Sequence, residues 1–389
     1  MKVSFVQKVK AFAGSEKYFL SIIPQLNKRG ITANLIIVIN KTDLNSCNDY
    51  IGRLKNANIE TKVIIAKSDK TIFSTLFALK NAINSFNPDI VHSHLIHADF
   101  WCAILKKRKK IKPLIFSTKH GYEESFLAKH GFDGSKITKN LYYKICKFSE
   151  KHIDQSFAVS EGLRQLFIDA KISRESSIST IHHGVKLTDE RTIKVNQRKS
   201  NFQAIILGRV IPFKGHHYAI ESFAEVVKKI PSAQCLIVGG IDKDYKQQLD
   251  EIIKSHNLEH NISFEGFQTE IYDYLLSSDI MLVPSISEGF GLIFLEGFNT
   301  ELPIIGFDVA ATNEIIDHQK NGILVEAYNT IQMAEHLIHL FENKEERNRL
   351  GIEGKKKLLH YFTLDRMTTE TIKFYEKNYL SNITQARHS

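Results

Sequence analysis

Short apolar runs rich in β-branched residues alternate along the chain with longer stretches whose apolar positions recur every three to four residues. In the first half the runs predict strands at Val3–Val6, Asn34–Ile39, Lys62–Ile65, Ile90–His92, Leu114–Ser117, Ser156–Val159 and Ser177–Ile181. Helical patterns such as Glu16–Lys28 and Thr71–Phe86 lie between most of them. The second half predicts strands at Phe202–Leu207, Ala233–Val238, Ile262–Phe264, Ile280–Val283, Pro303–Ile305 and Ile323–Val325. Helices follow at Thr330–Glu342, Lys344–His360 and Leu364–Tyr379. Continuously apolar strands separated by helices imply parallel sheets covered on both faces. The pattern breaks between His183 and Ser200, in a polar stretch without strand periodicity. The expectation is an α/β chain of two doubly wound, Rossmann-like domains, 1–185 and 201–364, joined by a linker at 186–200. Two such domains leave a cleft, and ligands bind at the carboxyl ends of their strands.

Composition changes this picture little. The 389 residues suffice for a sizeable core in each domain, and 43% hydrophobic with 24% charged residues is ordinary for a globular protein. Cys47, Cys102, Cys146 and Cys235 form no Cys-x-x-Cys pair, so neither a zinc site nor a disulfide framework is indicated and a reducing compartment is expected. No apolar run is long enough to span a bilayer, and the apolar start is too short for a signal peptide. The formal net charge of +9 implies anionic partners without choosing among phosphorylated substrates, acidic lipid and nucleic acid.

Chemistry-bearing residues fall just after predicted strands. Gly208-Arg209-Val210-Ile211-Pro212-Phe213-Lys214-Gly215 follows Phe202–Leu207 and precedes a helix. Its glycines permit a tight turn, and two cations beside a helix N-terminus favour a diphosphate. Alone, the stretch is equally a turn with two solvated basic residues. After Ile280–Val283 comes Pro284-Ser285-Ile286-Ser287-Glu288-Gly289-Phe290-Gly291-Leu292-Ile293-Phe294-Leu295-Glu296-Gly297, which puts Glu288 in a loop and Glu296 roughly two turns into the next helix. Amides around Gly291, Leu292 and Ile293 open that helix without intrahelical partners. The plainer reading is a carboxylate favoured by the helix dipole and an exposed glutamate. A glycosidase acid–base pair is the other chemistry open to two carboxylates. The strand–loop–helix setting beside basic residues argues against it.

With these residues the sequence resembles the retaining glycosyltransferases of family 4, which have the GT-B fold. The resemblance rests on the Glu-x7-Glu arrangement Glu288…Glu296 around Gly-Phe-Gly and on Gly208-Arg209…Lys214-Gly215. Val159-Ser160-Glu161, Phe264-Glu265-Gly266 and Asn321-Gly322 echo it in family order, over nearly the whole chain. The resemblance implies that Arg209 and Lys214 neutralise the diphosphate of the leaving nucleotide. Glu296 would hold the ribose, Glu288 a donor-sugar hydroxyl, and Gly208, Gly289, Phe290, Gly291, Leu292 and Ile293 would line sugar and phosphate. The segment after Gly266 would border the base. It implies no metal and no cofactor besides the nucleotide-sugar donor, a saccharide or lipid-linked acceptor, and a terminal helix, about 365–389, crossing back to the first domain.

In the first half, Ala13-Gly14-Ser15-Glu16 opens a helix after the first strand, and by resemblance Gly14 offers an amide to the donor phosphate. Outside that context it is simply a turn. Ser117-Thr118-Lys119-His120-Gly121 places His120 where the family carries an active-site histidine, to position and polarise while the departing phosphate takes the acceptor proton. The competing reading is a polar loop histidine. His92-Ser93-His94-Leu95-Ile96-His97 contains a His-x-His pair, but only Asp99 offers a further ligand, so it reads as a cleft-lining loop contacting acceptor rather than zinc. His182-His183-Gly184 stands where the family has Asn-Gly, which touches only the hinge.

The basic segments 106–112 and 136–151 read singly as solvated helix faces. With the net charge and a family rich in lipid-linked acceptors they lead to the expectation of a cytoplasmic protein attached reversibly to an anionic leaflet. Two alternatives compete. A nucleotide-sugar 2-epimerase would need its own acid and base, for which no motif is visible. A nucleic-acid-binding protein would interleave basic and aromatic residues in a known module, which the chain does not do.

Overall fold

The computed structural model describes residues 1–11, 14–68, 71–123, 133–187 and 202–388. The chain divides into two compact units, the first built from its N-terminal half and its last helix, the second from Gly184–Thr363. Of the linker expected at 186–200, residues 188–200 lie outside the described residues.

In the first unit, parallel strands β1 (Lys2–Val9), β2 (Thr32–Asn40), β3 (Thr61–Ala66), β4 (Ile90–His94), β5 (Leu114–Lys119), β6 (Gln155–Ala158) and β7 (Ile178–Thr180) form one sheet in the order β3-β2-β1-β4-β5-β6-β7. The crossovers are α1 (Gly14–Lys28), α2 (Leu44–Asn56), α3 (Ile72–Phe86), α4 (Leu95–Lys107), α5 (Leu141–His152) and α6 (Glu161–Asp169). Strands this apolar are buried on both sides, which forces a helical layer on each face. One core gathers Phe5, Phe19, Ile22, Leu35, Ile37 and Tyr50, and the opposite core Val6, Ile36, Val38, Leu79, Trp101 and Cys102. Alternate residues of β1 and β2 thus face opposite layers.

The second unit repeats the plan. Strands β8 (Gln203–Leu207), β9 (Gln234–Val238), β10 (Ile262–Gly266), β11 (Ile280–Val283), β12 (Ile304–Phe307) and β13 (Ile323–Val325) run parallel in the order β10-β9-β8-β11-β12-β13. The helices are α7 (His216–Lys229), α8 (Lys243–Ser255), α9 (Tyr272–Leu276), α10 (Leu292–Asn299), α11 (Thr312–Ile315), α12 (Thr330–Glu342) and α13 (Lys344–Tyr361). The terminal helix α14 (Leu364–His388) packs in the first unit, where Leu364, Met367, Phe374 and Tyr375 enter the core around Phe5. Arg29 donates to Thr369 Oγ1 at 2.7 Å and pairs with Asp365 on the same helix.

Each sheet reverses its order once, between β1 and β4 and between β8 and β11. Connections leave in opposite directions at such a point, so a crevice opens at the carboxyl ends of those strands.

Candidate functional site

In the second unit the strand ends are brought close by glycine. A Cβ on Gly239 would sit 1.8 Å from the Gly208 carbonyl oxygen, and Gly239 N–H donates to Gly266 O at 2.8 Å. Gly208, Gly239 and Gly266 therefore form one backbone-lined floor across β8, β9 and β10. Gly215 has φ +69, and its Cβ would lie 1.9 Å from Pro284 O, so only glycine lets the β8–α7 loop meet the loop after β11. Ile286 N–H seals the contact with Phe213 O at 3.0 Å.

This approach brings residues far apart in sequence together. Lys214 Nζ makes a close ion pair with Glu288, with side chains only 15% and 7% exposed. Arg209 and Lys214 flank the Phe213 ring, 6.0 and 5.8 Å from its centroid. Arg209 is exposed. Gly291 caps α10 at φ +94, where a Cβ would meet the Phe294 ring at 2.6 Å. Leu292 and Ile293 are half-buried in the first turn of α10, where backbone amides lack intrahelical acceptors.

Two expectations about this loop change. Glu296 is the fifth residue of α10, little more than one turn in, because the helix starts at Leu292 rather than in the glycine loop. The Phe290 ring is buried edge-on against Phe362, 5.6 Å between centroids, so of Phe290 it is the backbone that is left for a ligand. Gly289 is buried in the same turn. Sequence reading passed over Gly239, whose strand end carries no charged neighbour, and Ser287. The Ser287 Oγ is buried without a hydrogen-bond partner next to Glu288.

In the first unit Gly14 opens α1 after β1. His120 follows β5 and is held by aromatic neighbours. Its Nε2 lies 2.7 Å from His94 Nδ1, its ring stacks on His183 at 5.3 Å, and Tyr18 meets it edge-on at 5.8 Å. Burial lowers its pKa to about 3, with His92 and Lys119 adding to the shift, so the imidazole is neutral. His94 and His183 are held well below the usual histidine range, first by burial and then by their histidine neighbours.

The reading of residues 92–97 as a cleft-lining loop is corrected. His92 and His94 are fully buried in β4, and Leu95 already starts α4. Apolar contact explains this: His94 is ringed by Phe5, Tyr18 and Phe19, at 5.7, 5.1 and 4.6 Å. His92 is satisfied by Tyr375 Oη at 2.5 Å and Thr118 Oγ1 at 2.8 Å. Asp99 is engaged by Lys119 Nζ at 2.6 Å and accepts from Ser93 and Ser117 at 2.5 and 2.7 Å. Among the described residues no group of three His, Cys, Asp or Glu side chains is placed to hold a metal. His183, assigned above to the hinge alone, also packs on His120.

The basic segments are partly committed. Lys106 pairs with Asp154 at 3.0 Å and donates to Pro113 O, and Lys107 lies 5.3 Å over the Phe148 ring. Lys107, Arg108, Lys109 and Lys110 are exposed. No helix among the described residues is long and apolar enough to cross a membrane.

Two doubly wound parallel sheets define the class: an α/β protein of the GT-B fold. A family model described as Glycosyl transferases group 1 matches residues 188–357, and one described as Glycosyltransferase Family 4 matches residues 12–189. The chain belongs to this group 1, family 4 set of glycosyltransferases, and is a glycosyltransferase enzyme. It is 27% identical over 300 residues to an uncharacterized glycosyltransferase of Methanocaldococcus jannaschii, which covers 77% of this chain and 78% of that protein. It is 23% identical over 296 residues to N-acetyl-alpha-D-glucosaminyl L-malate synthase of Bacillus anthracis, 73% of each chain. Anabaena HepE, solved in complex with UDP-glucose, matches with a TM-score of 0.80 at 16% identity, over 97% of this chain and 100% of that one. Sucrose-phosphate synthase from Thermosynechococcus elongatus matches at 0.78 and 15% identity, over 98% and 99%.

Proposed function

We propose that the protein transfers a hexosyl or N-acetylhexosaminyl group from a nucleoside-diphosphate sugar to a hydroxyl acceptor, with retention of anomeric configuration and without a divalent metal. The observation that carries this is the Lys214–Glu288 pair beside Arg209 at the β8/β11 switch point. Departure of the nucleotide develops negative charge on the diphosphate. Fixed cations there stabilise the transition state more than the ground state. Arg209 and Lys214 take that charge, assisted by the amides of Leu292 and Ile293. Glu288 takes a sugar hydroxyl, and Ser287 is a further polar group for the sugar. Glu296 takes the ribose, and the backbone after Gly266 borders the base.

On the acceptor side, the first unit contributes Gly14 and His120, at the starts of the segments that follow β1 and β5. His120, being neutral, orients and polarises while the leaving phosphate accepts the acceptor proton. The acceptor is a saccharide or lipid-linked saccharide of cell-surface polysaccharide or glycolipid synthesis. The protein works in the cytoplasm, held to an anionic leaflet by 107–112 and 136–151, with Lys106 withdrawn from that role by its pairing with Asp154. The reading is tested by turnover of Arg209→Ala and Lys214→Ala, each expected to fall on the order of 10²–10³-fold when assayed below the melting point of each variant. Turnover within a few-fold of wild type in both overturns it, as does complete loss in chelator restored by one metal.

A further inference from the structure

β4 ends at His94, and the next residue, Leu95, turns into α4 with φ +68. A leucine in the left-handed region is strained, and such a turn persists only where its surroundings over-determine it. Here the surroundings are the rings that enclose His94: Phe5, Tyr18, Phe19 and His92, the last at 4.6 Å. The imidazole is thus fixed, with Nδ1 2.7 Å from His120 Nε2. Its other nitrogen, Nε2, is buried with no hydrogen-bond partner.

Two proton placements satisfy the 2.7 Å contact. If His120 Nε2–H donates, His94 carries its proton on Nε2 and leaves a buried N–H without an acceptor. If His94 Nδ1–H donates, the unpartnered atom is a bare lone pair. Orphaned buried N–H groups are the rarer of the two defects. We infer that His94 is a positioning residue that donates from Nδ1 to His120 Nε2 and so fixes His120 in its Nδ1–H tautomer, making its second nitrogen a hydrogen-bond donor and not an acceptor. A neutral ring whose Nε2 accepts carries its proton on Nδ1 and cannot take a proton there. Resting on the proposed role of His120, this turns a general polar contact into one polarity: His120 serves a ligand oxygen as donor, not a hydroxyl hydrogen as acceptor. His183 stacked on the same ring at 19° blocks its rotation.

The proton placement is read directly by long-range ¹H–¹⁵N correlation spectra of ¹⁵N-histidine-labelled wild-type protein near pH 7.5. The expected result is both His94 and His120 in the Nδ1–H form. An Nε2–H form for His120 overturns the inference whether or not the protein turns over any donor. Function is read with two variants. His94→Phe keeps an aromatic ring in the cage but removes the donor, whereas His94→Asn returns an amide N–H near the position of Nδ1. Hydrolysis of UDP-glucose, UDP-N-acetylglucosamine or GDP-mannose, whichever the wild type turns over, is expected to show kcat at least about tenfold lower in His94→Phe with KM little changed, partly restored in His94→Asn. In His94→Phe the His120 signals should move toward the Nε2–H form. Equal kcat in both variants and wild type, or equal loss in both with an unmoved His120 tautomer, overturns positioning. A wild type inert toward all three donors counts against the proposed function instead, while the spectra still decide the tautomer.

Discussion

Replacing Lys119 with methionine would cut the strand that carries His120 loose from its anchor. Lys119 is the last residue of β5, and its ammonium reaches Asp99 and Glu150 at 2.6 Å each, with the three side chains 5%, 7% and 4% exposed. The carboxylates are further held by hydroxyls: Ser93 and Ser117 donate to Asp99, and Ser156 and Ser173 to Glu150, the last at 2.6 Å. Burial alone would lower the Lys119 pKa, but Asp99 and Glu150 outweigh it and raise it above the ordinary lysine value. A raised pKa means the lysine's contribution is fully present at neutral pH and is lost only in strong alkali. Methionine fills similar volume but leaves two buried carboxylates with hydroxyl donors only. Breaking a buried ion pair from one side costs about 3–5 kcal/mol, which corresponds to a melting point lower on the order of 10 °C. Urea unfolding of both proteins at pH 7.5 tests this. A variant within about 1 kcal/mol of wild type refutes the reasoning.

Burial holds His92, His120 and His216 neutral with pKa values near 3, against 6.5 for a free histidine. The unfolded chain therefore takes up protons first between pH 6.5 and 3, and stability should fall on acidification by roughly 1.4 kcal/mol per pH unit for each independent histidine; equal urea midpoints at pH 7.5 and 5.5 would refute this. Gly215→Ala adds a Cβ 1.9 Å from Pro284 O at a φ of +69, so it should lower the melting point and weaken UDP binding by calorimetry. Wild-type values for both would show that the loop tolerates a side chain. Neutralising Lys107, Arg108, Lys109 and Lys110 together should release the protein from anionic vesicles, since each cation near the surface contributes about 1 kcal/mol. Binding that is equal on neutral vesicles, or insensitive to salt, would leave these residues as solvated ends of a helix.

The apolar period located every strand of both sheets but cut several short at their carboxyl ends. β1 runs on to Val9 because Gln7 and Lys8 are buried, Gln7 donating to Glu16 at 2.8 Å. β4 reaches His94 and β5 reaches Lys119 for the same reason. Polar residues at a strand end look like loop in a sequence, since the partners that satisfy them are distant in the chain. The ends of β1 and β4 are also where the sheet order reverses, so the pattern fell short at the crevice such a reversal opens. The donor loops were legible because their glycines and charges are contiguous. The Lys214–Glu288 contact, the orphan Ser287 and the stacking of His183 on His120 were not, as they depend on loops closing over 60 or more residues.

The central claim is that Arg209, Lys214 and the start of α10 form a metal-free site for a nucleoside diphosphate. It is tested most directly by melting the protein with UDP-, GDP- and ADP-sugars in EDTA, since a ligand at about 100 times its Kd adds roughly 2.7 kcal/mol of stability. One nucleotide class should raise the wild-type melting point, and Arg209→Ala and Lys214→Ala should abolish that rise, each variant being compared with its own ligand-free melting point because Lys214→Ala leaves Glu288 buried without its partner. No rise with any donor, or a rise of the same size in both variants, would contradict the account.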